Sequence, residues 1–169
     1  MAEKKILLVI PPLGFHDAQY EACRRLWEKR GYKVSVASLE KGIARGEAGA
    51  AVPIDVAIED VKTYDYDAAV FLGGEGVRRL FDDESVRKLA KDVKYKVVAA
   101  SDNAVVLLAL AGALEDKKVA GPPESVSWLL KGGAQYTAEP IWIDDKLITI
   151  QDPGITERMA NEVIAALEK

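Results

Sequence analysis

The sequence predicts an α/β sandwich built around a mainly parallel sheet. Short apolar runs alternate with amphipathic segments along the chain, which is typical of layered α/β domains. The apolar runs are continuous rather than alternating, as in strands that are buried on both faces of a parallel sheet. The length of 169 residues fits one domain of about 100–200 residues. We therefore expect a single domain over residues 1–169.

The first half of the chain predicts a βαβ unit followed by further strands. Lys5–Ile10 is an apolar run bounded by prolines and predicts a buried strand. Asp17 is the expected N-cap of the next helix, and Gly31 ends it. The apolar stripe of that helix is predicted to contain Ala18, Ala22 and Leu26 with the neighbouring Cys23 and Trp27. The later segments are a strand over Lys33–Leu39, a flexible stretch over Gly42–Ala51, a short strand over Val52–Ile58 and a strand over Ala68–Leu72.

The second half continues the alternation and adds a late hairpin. Pro140–Ile143 and Leu147–Ile150, joined around Asp144–Lys146, predict two antiparallel strands. The predicted helices are Ser85–Val93, Ala104–Leu110, Ser125–Leu130 and Thr156–Glu168. The remaining predicted strands are Lys96–Ala100 and Lys117–Ala120.

Composition excludes several classes of function. The net charge of −4 argues against a nucleic-acid-binding protein, which needs a basic excess. One cysteine and one histidine exclude a disulfide framework and an ordinary zinc site, so no metal is expected. The longest apolar run, Ala104–Leu114, is too short to cross a bilayer. Neither a dinucleotide fingerprint nor a Walker A motif is present, and we expect no cofactor.

Ligands of parallel sheets bind beyond the carboxyl ends of the strands, near a switch in strand order. This rule selects Pro12–Asp17, Gly73–Gly76 and Ser101–Asn103. In the last segment an apolar strand runs directly into an apolar helix, as in a nucleophile elbow. Asp102 would then project into the pocket as a carboxylate. The alternative is that these residues only cap the helix.

Two more residues and a glycine loop complete the candidate site. His16 is the only histidine, and beside Asp102 it would support acid–base chemistry; the alternative is an ordinary surface residue. The backbone amides of Gly73–Gly76 predict an anion site, or simply a tight turn. Cys23 lies on or near the apolar side of its helix and is expected to be a small buried residue.

Four stretches together resemble the DJ-1/PfpI superfamily. They are "KKILLVIPPLGFHDAQYEACRRLWEKRGYKVSVASLEKG", "GAAVPIDVAIEDVKTYDYDAAVFLGGEG", "KVVAASDNAVVLLALAGALEDKKVAG" and "YTAEPIWIDDKLITIQDPG". Their order and spacing match the family over nearly the whole chain. The resemblance implies a flavodoxin-like three-layer sandwich that forms a dimer or a larger ring. Family members include intracellular proteases, deglycases, glyoxalases and isonitrile hydratases, most with a cysteine at the elbow.

The sequence departs from the family pattern at the residues that carry this chemistry. Asp102 stands where the resemblance places the cysteine, Asn103 where it places the next histidine, and His16 where it places a glutamate. Arg78 occupies the expected acidic position after the glycine loop, although Glu75 lies close. Gly73 and Gly74 match the family directly. The replacements at these positions lead to the hypothesis of a catalytic pair of Asp102 and His16, with oxyanion or ligand binding by Gly73, Gly74, Asn103 and Glu75.

Two functional hypotheses follow. The first is a small-molecule-binding or structural homo-oligomer without thiol-dependent activity. The second is a hydrolase or hydratase in which Asp102 and His16 form an acid–base or nucleophilic pair, within hydrogen-bond distance of each other. The family's conventional function, an intracellular peptidase or deglycase, depends on a cysteine nucleophile. The expected partners are a second copy of the chain and an unknown small molecule, with no nucleic acid or membrane, and the expected location is cytoplasmic.

Overall fold

The computed structural model describes residues 3–169 and contains twelve strands and five α-helices in that range. The strands are β1 (Lys5–Val9), β2 (Leu13–Phe15), β3 (Lys33–Ser38), β4 (Gly42–Gly46), β5 (Ala51–Ile54), β6 (Val56–Ala57), β7 (Ala68–Phe71), β8 (Val97–Ser101), β9 (Lys118–Ala120), β10 (Gln135–Thr137), β11 (Ile141–Asp144) and β12 (Leu147–Ile150). The helices are α1 (Asp17–Lys29), α2 (Glu84–Asp92), α3 (Val105–Leu110), α4 (Val126–Lys131) and α5 (Thr156–Leu167).

Seven strands form the central sheet in the order β11-β12-β8-β7-β1-β3-β6. Every neighbouring pair is parallel except β11 and β12, which form the late hairpin. The predicted α/β class and the mainly parallel sheet are therefore confirmed. The chain leaves β1 for β3 on one side and later places β7 on the other side. This switch in strand order directs attention to the carboxyl ends of β1, β7 and β8.

Helices cover both faces of the sheet and complete the three-layer sandwich. On one face α1 and α5 pack together, and the indole of Trp27 donates a hydrogen bond to the carbonyl of Ala160 at 3.1 Å. On the other face α2, α3 and α4 enclose a second apolar cluster that contains Phe71 and Leu108. The central strands β1, β7 and β8 are buried on both faces, apart from the exposed Lys5 at the start of β1.

The first helix differs from its prediction in its cap and in its buried face. His16, not Asp17, is the N-cap, because the His16 Nδ1 accepts a hydrogen bond from the Gln19 amide. The buried stripe consists of Gln19, Cys23 and Trp27. Cys23 and Trp27 belonged to the predicted stripe, whereas Ala18 is exposed and Ala22 and Leu26 are only partly buried. The polar Gln19 concealed this register in the sequence.

The stretch Gly42–Ala51, predicted to be flexible, contains β4, which pairs with β2 and β5 in a small three-stranded sheet. The Asp17 carboxylate anchors the turn after β4, since its two oxygens accept the amides of Ala48 and Ala50, each at 2.8 Å. Burial acts to raise the Asp17 pKa, but these amide hydrogen bonds outweigh it and leave the pKa below its ordinary value.

Within residues 3–169 no helix is long and apolar enough to cross a membrane. The same residues contain no cluster of three or more histidine, cysteine, aspartate or glutamate side chains suited to a metal ion.

Candidate functional site

The three segments selected from the sequence meet at the carboxyl ends of β1, β7 and β8. The His16 amide donates to the carbonyl of Gly73 at 3.0 Å, which joins the segment after β1 to the glycine loop. The Gly73 amide in turn donates to the hydroxyl of Ser101 at 2.9 Å, which joins the loop to the end of β8. The site is therefore assembled by hydrogen bonds between segments that lie far apart in the chain.

Asp102 occupies a strained backbone conformation at the elbow between β8 and α3. Its φ angle is +55°, a left-handed conformation that few residues other than glycine adopt, although aspartate and asparagine tolerate it best. The turn Asp102–Ala104 leads into α3, and no side-chain hydrogen bond caps either element. The alternative reading of Ser101, Asp102 and Asn103 as helix caps is therefore not supported. Asp116 and Asp145 adopt similar φ angles in turns, and such conformations also occur at functional sites.

Gly73 allows the glycine loop to pass close to the elbow. A Cβ atom at position 73 would lie 2.8 Å from the Cβ of Asp102 and 2.8 Å from the carbonyl oxygen of Ser101. Neither neighbour is the free end of a flexible side chain, so any larger residue would push the loop and the elbow apart. This close approach explains why the loop begins with a glycine.

Three consecutive amides of the glycine loop already donate hydrogen bonds to side chains. The Gly73 amide donates to Ser101 and, at 3.3 Å, to the Oε1 of Gln19. The Gly74 amide donates to the Oδ1 of Asn103 at 3.2 Å, and the Glu75 amide donates to the Oε2 of Glu47 at 2.7 Å. The oxyanion role expected for Gly73 and Gly74 is therefore not open in this structure, because both amides have acceptors within the protein.

Asn103 holds the glycine loop through both atoms of its side-chain amide. Besides the bond from the Gly74 amide, its Nδ2 donates to the carbonyl of Gly74 at 2.8 Å. The residue therefore joins the elbow to the loop, rather than presenting its amide to a ligand as the sequence suggested.

Gln19 is a site residue that the sequence analysis missed. It is 1% exposed, and its Oε1 accepts a hydrogen bond from the Ser101 hydroxyl at 2.8 Å. Its Nε2 is buried with no partner among residues 3–169. The available signal was its position four residues before Cys23 and eight before Trp27, which places all three on one face of a helix.

His16 and Asp102 belong to the same site but do not pair with each other. Within residues 3–169 neither a hydrogen bond nor an ion pair joins them, and the His16 Nδ1 is engaged with the Gln19 amide at 3.3 Å. The hydrogen bond expected between the two side chains is therefore not formed. The helix cap accounts for this, because it directs one ring nitrogen of His16 toward α1.

The Asp102 carboxyl has a raised pKa. Burial is the main cause, since it penalises the charged form, and the carboxylates of Glu124 and Glu47 act in the same direction. The backbone amide of Asn103 and the electrostatic interaction with His16 oppose the shift without cancelling it. Asp102 is thus a carboxyl group that holds its proton more tightly than an aspartate in water.

Cys23 lies away from the elbow, inside the apolar cluster between α1 and the sheet. Its side chain is fully buried, and burial raises the pKa of its thiol to about 12. A thiol with this pKa is almost entirely protonated at neutral pH and is a poor nucleophile. The expectation that Cys23 is a structural residue is consistent with this position.

A cavity of about 260 Å³ opens beside the elbow. Arg78 lies against its aromatic wall, with its guanidinium carbon 6.0 Å from the ring centre of Phe81 and 5.6 Å from that of Trp128. The cavity is also lined by Glu75, Glu124 and Asn103, together with Val106 and Ser125. Carboxylate, guanidinium and aromatic groups therefore face one small volume next to the residues at the carboxyl ends of the strands.

The family model described as the DJ-1/PfpI family matches residues 4–166. An uncharacterized protein of Methanocaldococcus jannaschii is 35% identical over 100% of this chain and 85% of its own length. Deglycase PfpI of Pyrococcus furiosus is 24% identical, with 96% of this chain and 99% of that protein covered. The crystal structure of a ThiJ/PfpI domain protein from Brachyspira murdochii superimposes with a TM-score of 0.94 at 30% identity, covering 99% of this chain and 98% of that one.

Proposed function

On the premise that the chain belongs to the DJ-1/PfpI family, we propose that it binds a small polar molecule beside the elbow and carries out no thiol-dependent chemistry. The observation that carries the proposal is the position of its one cysteine. Cys23 is fully buried in the apolar cluster of α1, whereas Asp102 occupies the elbow. We further propose that Asp102 stands at the position where the family resemblance places a cysteine.

The chemistry of a carboxylate supports the proposal that this protein does not carry out thiol-dependent reactions. A thiolate adds to an aldehyde to form a hemithioacetal, and it attacks a peptide to form a thioester. A carboxylate forms neither intermediate and is a weaker nucleophile toward carbonyl groups. The glycine-loop amides that would stabilise an oxyanion also have internal acceptors in Ser101 and Asn103.

The cavity beside the elbow supports binding of a ligand that carries both a basic and an acidic group. The carboxylates of Glu75 and Glu124 would receive the basic group, and Arg78 would receive the acidic group. Phe81 and Trp128 provide apolar surface for the remainder of the ligand. Such a combination of aromatic walls and a few charged groups is typical of small-molecule sites.

The first experiment separates thiol-dependent from thiol-independent activity. Wild-type protein, Cys23→Ser and Asp102→Asn are incubated with methylglyoxal and, separately, with a fluorescent casein substrate. We expect no turnover that responds to iodoacetamide, and the same rates for wild type and Cys23→Ser. Turnover that is lost in Cys23→Ser would contradict the proposal.

A second experiment tests the cavity directly. A panel of small amino acids and amines is screened by protein-detected NMR, and the strongest binder is titrated into Arg78→Gln and Arg79→Gln. Arg79 is an exposed neighbour that does not line the cavity, so it is a matched control. We expect the dissociation constant to rise about tenfold in Arg78→Gln, as for loss of one charged hydrogen bond. Equal effects of the two variants, or no binder in the panel, would count against this ligand class.

A hydrolase or hydratase is the second candidate, favoured by the strain and the raised pKa of Asp102. Both properties are common in catalytic groups. In this candidate Asp102 is the general base, and His16 acts with it through water or substrate rather than by direct contact. Turnover of a ligand found in the screen that is abolished in Asp102→Asn, with binding retained, would support it over binding alone.

We also propose that the protein forms a homodimer or a larger ring, as the family resemblance implies. Light scattering coupled to size-exclusion chromatography tests this proposal, and a mass of about 18 kDa, that of one 18.4 kDa chain, would refute it. The cytoplasmic location stays a prediction.

A further inference from the structure

A second cavity, of about 190 Å³, lies at the opposite end of the sheet from the elbow. It is formed where β8 and β12 begin, by the loop after α2, the segment between α3 and β9, and the turn of the β11–β12 hairpin. The five residues of β8 separate it from Asp102, a distance of about 16 Å at roughly 3.3 Å per residue. The site is therefore distinct from the cavity beside the elbow.

Four lysines line this cavity, and we call it the lysine pocket. They are Lys94, Lys96, Lys117 and Lys146. Their concentration is notable in a chain with a net charge of −4, because the average charge of the protein would repel an anion. With Asp144 and Asp145 also in its lining, the lysine pocket itself has four positive against two negative side chains, and Glu115 and Asp116 lie on the adjoining surface that Lys94 and Lys117 share.

The four ammonium groups lack ion-pair partners. Across residues 3–169, no carboxylate lies within ion-pair distance of any of them. Lys94, Lys96 and Lys117 are also half-buried, so part of each side chain packs against the wall of the pocket. A bound anion would compensate charges that the protein leaves unpaired.

Two aspartates also face the lysine pocket, but they do not neutralise it. Asp144 and Asp145 contribute two carboxylates against four ammonium groups. One oxygen of Asp144 already accepts the backbone amide of Lys118 at 2.9 Å. Lys146 donates from its Nζ to the carbonyl of Tyr95 at 2.8 Å, a neutral partner that leaves its charge uncompensated.

We propose that the lysine pocket binds a small molecule that carries phosphate groups. Phosphate provides a concentrated negative charge and several acceptor oxygens, which several flexible ammonium groups can contact together. The ring of Tyr95 is 76% exposed at the edge of the pocket, and the Lys94 Nζ lies 5.1 Å from its centre. This ring offers a flat surface on which the organic part of a phosphorylated ligand stacks.

The test uses inorganic phosphate, pyrophosphate and ADP as probes of the full-length protein, with binding measured by isothermal titration calorimetry. We expect pyrophosphate to bind more tightly than phosphate, because it contacts more lysines. In the double variant Lys94→Gln/Lys117→Gln we expect its dissociation constant to rise at least about tenfold. Lys41→Gln is the matched control. Lys41 is exposed and follows the carboxyl end of β3, at the end of the sheet opposite to the lysine pocket.

The choice of probes separates the phosphate from the rest of the ligand. If the organic part contributes, ADP binds more tightly than pyrophosphate, and Tyr95→Ala removes the difference while leaving pyrophosphate binding unchanged. If ADP and pyrophosphate bind equally, the site recognises phosphate groups alone and the stacking role of Tyr95 is refuted. No binding of any probe to wild-type protein, or an equal loss in Lys41→Gln, would overturn the proposal. None of these results depends on the function of the elbow.

Discussion

The pairing of Asn103 with the glycine loop gives a quantitative prediction. In Asn103→Ala the loop loses two hydrogen bonds, one that the Gly74 amide donates and one that the Gly74 carbonyl accepts. Each is partly buried, and a hydrogen bond of this kind contributes about 1 kcal/mol to stability. We therefore expect the free energy of unfolding to fall by about 2 kcal/mol. For a chain of this length, that loss corresponds to a decrease in Tm of about 4–8 °C.

The chain offers a matched control, because its only other asparagine is Asn161. Asn161 is exposed on α5, where alanine is the better helix former. Asn161→Ala should therefore change stability by less than about 0.5 kcal/mol, in the favourable direction. Both variants are measured by urea unfolding followed through tryptophan fluorescence. If Asn103→Ala is as stable as Asn161→Ala, the Gly74 amide is not held by Asn103, and our account of the closed oxyanion site is refuted.

Three further predictions concern the Asp102 carboxyl, the glycine loop and the start of α2. Because the Asp102 pKa is raised in the folded protein, the native state binds this proton more tightly than the unfolded chain does, and Asp102 reduces stability as pH rises above the ordinary aspartate value. Asp102→Asn should therefore be more stable than wild type in urea unfolding at pH 7, with the difference disappearing below about pH 3; lower stability at pH 7 would contradict this. Gly73→Ala should lower the free energy of unfolding by about 3 kcal/mol, because the added Cβ meets the elbow. In the same assay Gly112→Ala should lower it by only about 1 kcal/mol, because that position has open space and only its φ of +73° is unfavourable. Equal decreases would count against the close approach of the loop to the elbow. Asp83 is the N-cap of α2 and accepts a hydrogen bond from the Val86 amide. Asp83→Ala should therefore reduce the free energy of unfolding by about 1 kcal/mol and lower Tm, whereas Asp82→Ala should not.

The fold was predictable because the central strands are buried on both faces and therefore form continuous apolar runs. Lys5–Ile10 and Ala68–Leu72 were both predicted to within a residue or so of β1 and β7. The short strands β2 and β10 were missed because three residues carry too little periodicity to distinguish a strand from a loop. They form because neighbouring segments bring hydrogen-bond partners to them, which is information that a local pattern does not contain.

The candidate site was also predictable in part: its location followed from the sequence, but its hydrogen bonds did not. The rule for parallel sheets placed His16, Gly73 and Asp102 at one end of the sheet, and the structure joins their segments there. The rule could not say which polar groups bond to each other. Asn103 bonds to the Gly74 backbone and His16 caps its own helix, and both partners depend on the three-dimensional course of the loops.

The engagement of three successive loop amides restricts how this site can change. Exposing the Gly74 amide to an incoming oxyanion requires removing its present acceptor, Asn103, and that step lowers stability before any new activity can compensate. Placing a nucleophile such as cysteine at position 102 alone would leave the amide engaged. The two substitutions should therefore be strongly non-additive in activity. A sequence that gains an open oxyanion site at this elbow therefore has to give up the stability that Asn103 provides, and substitutions elsewhere that raise the stability of the fold would offset that loss.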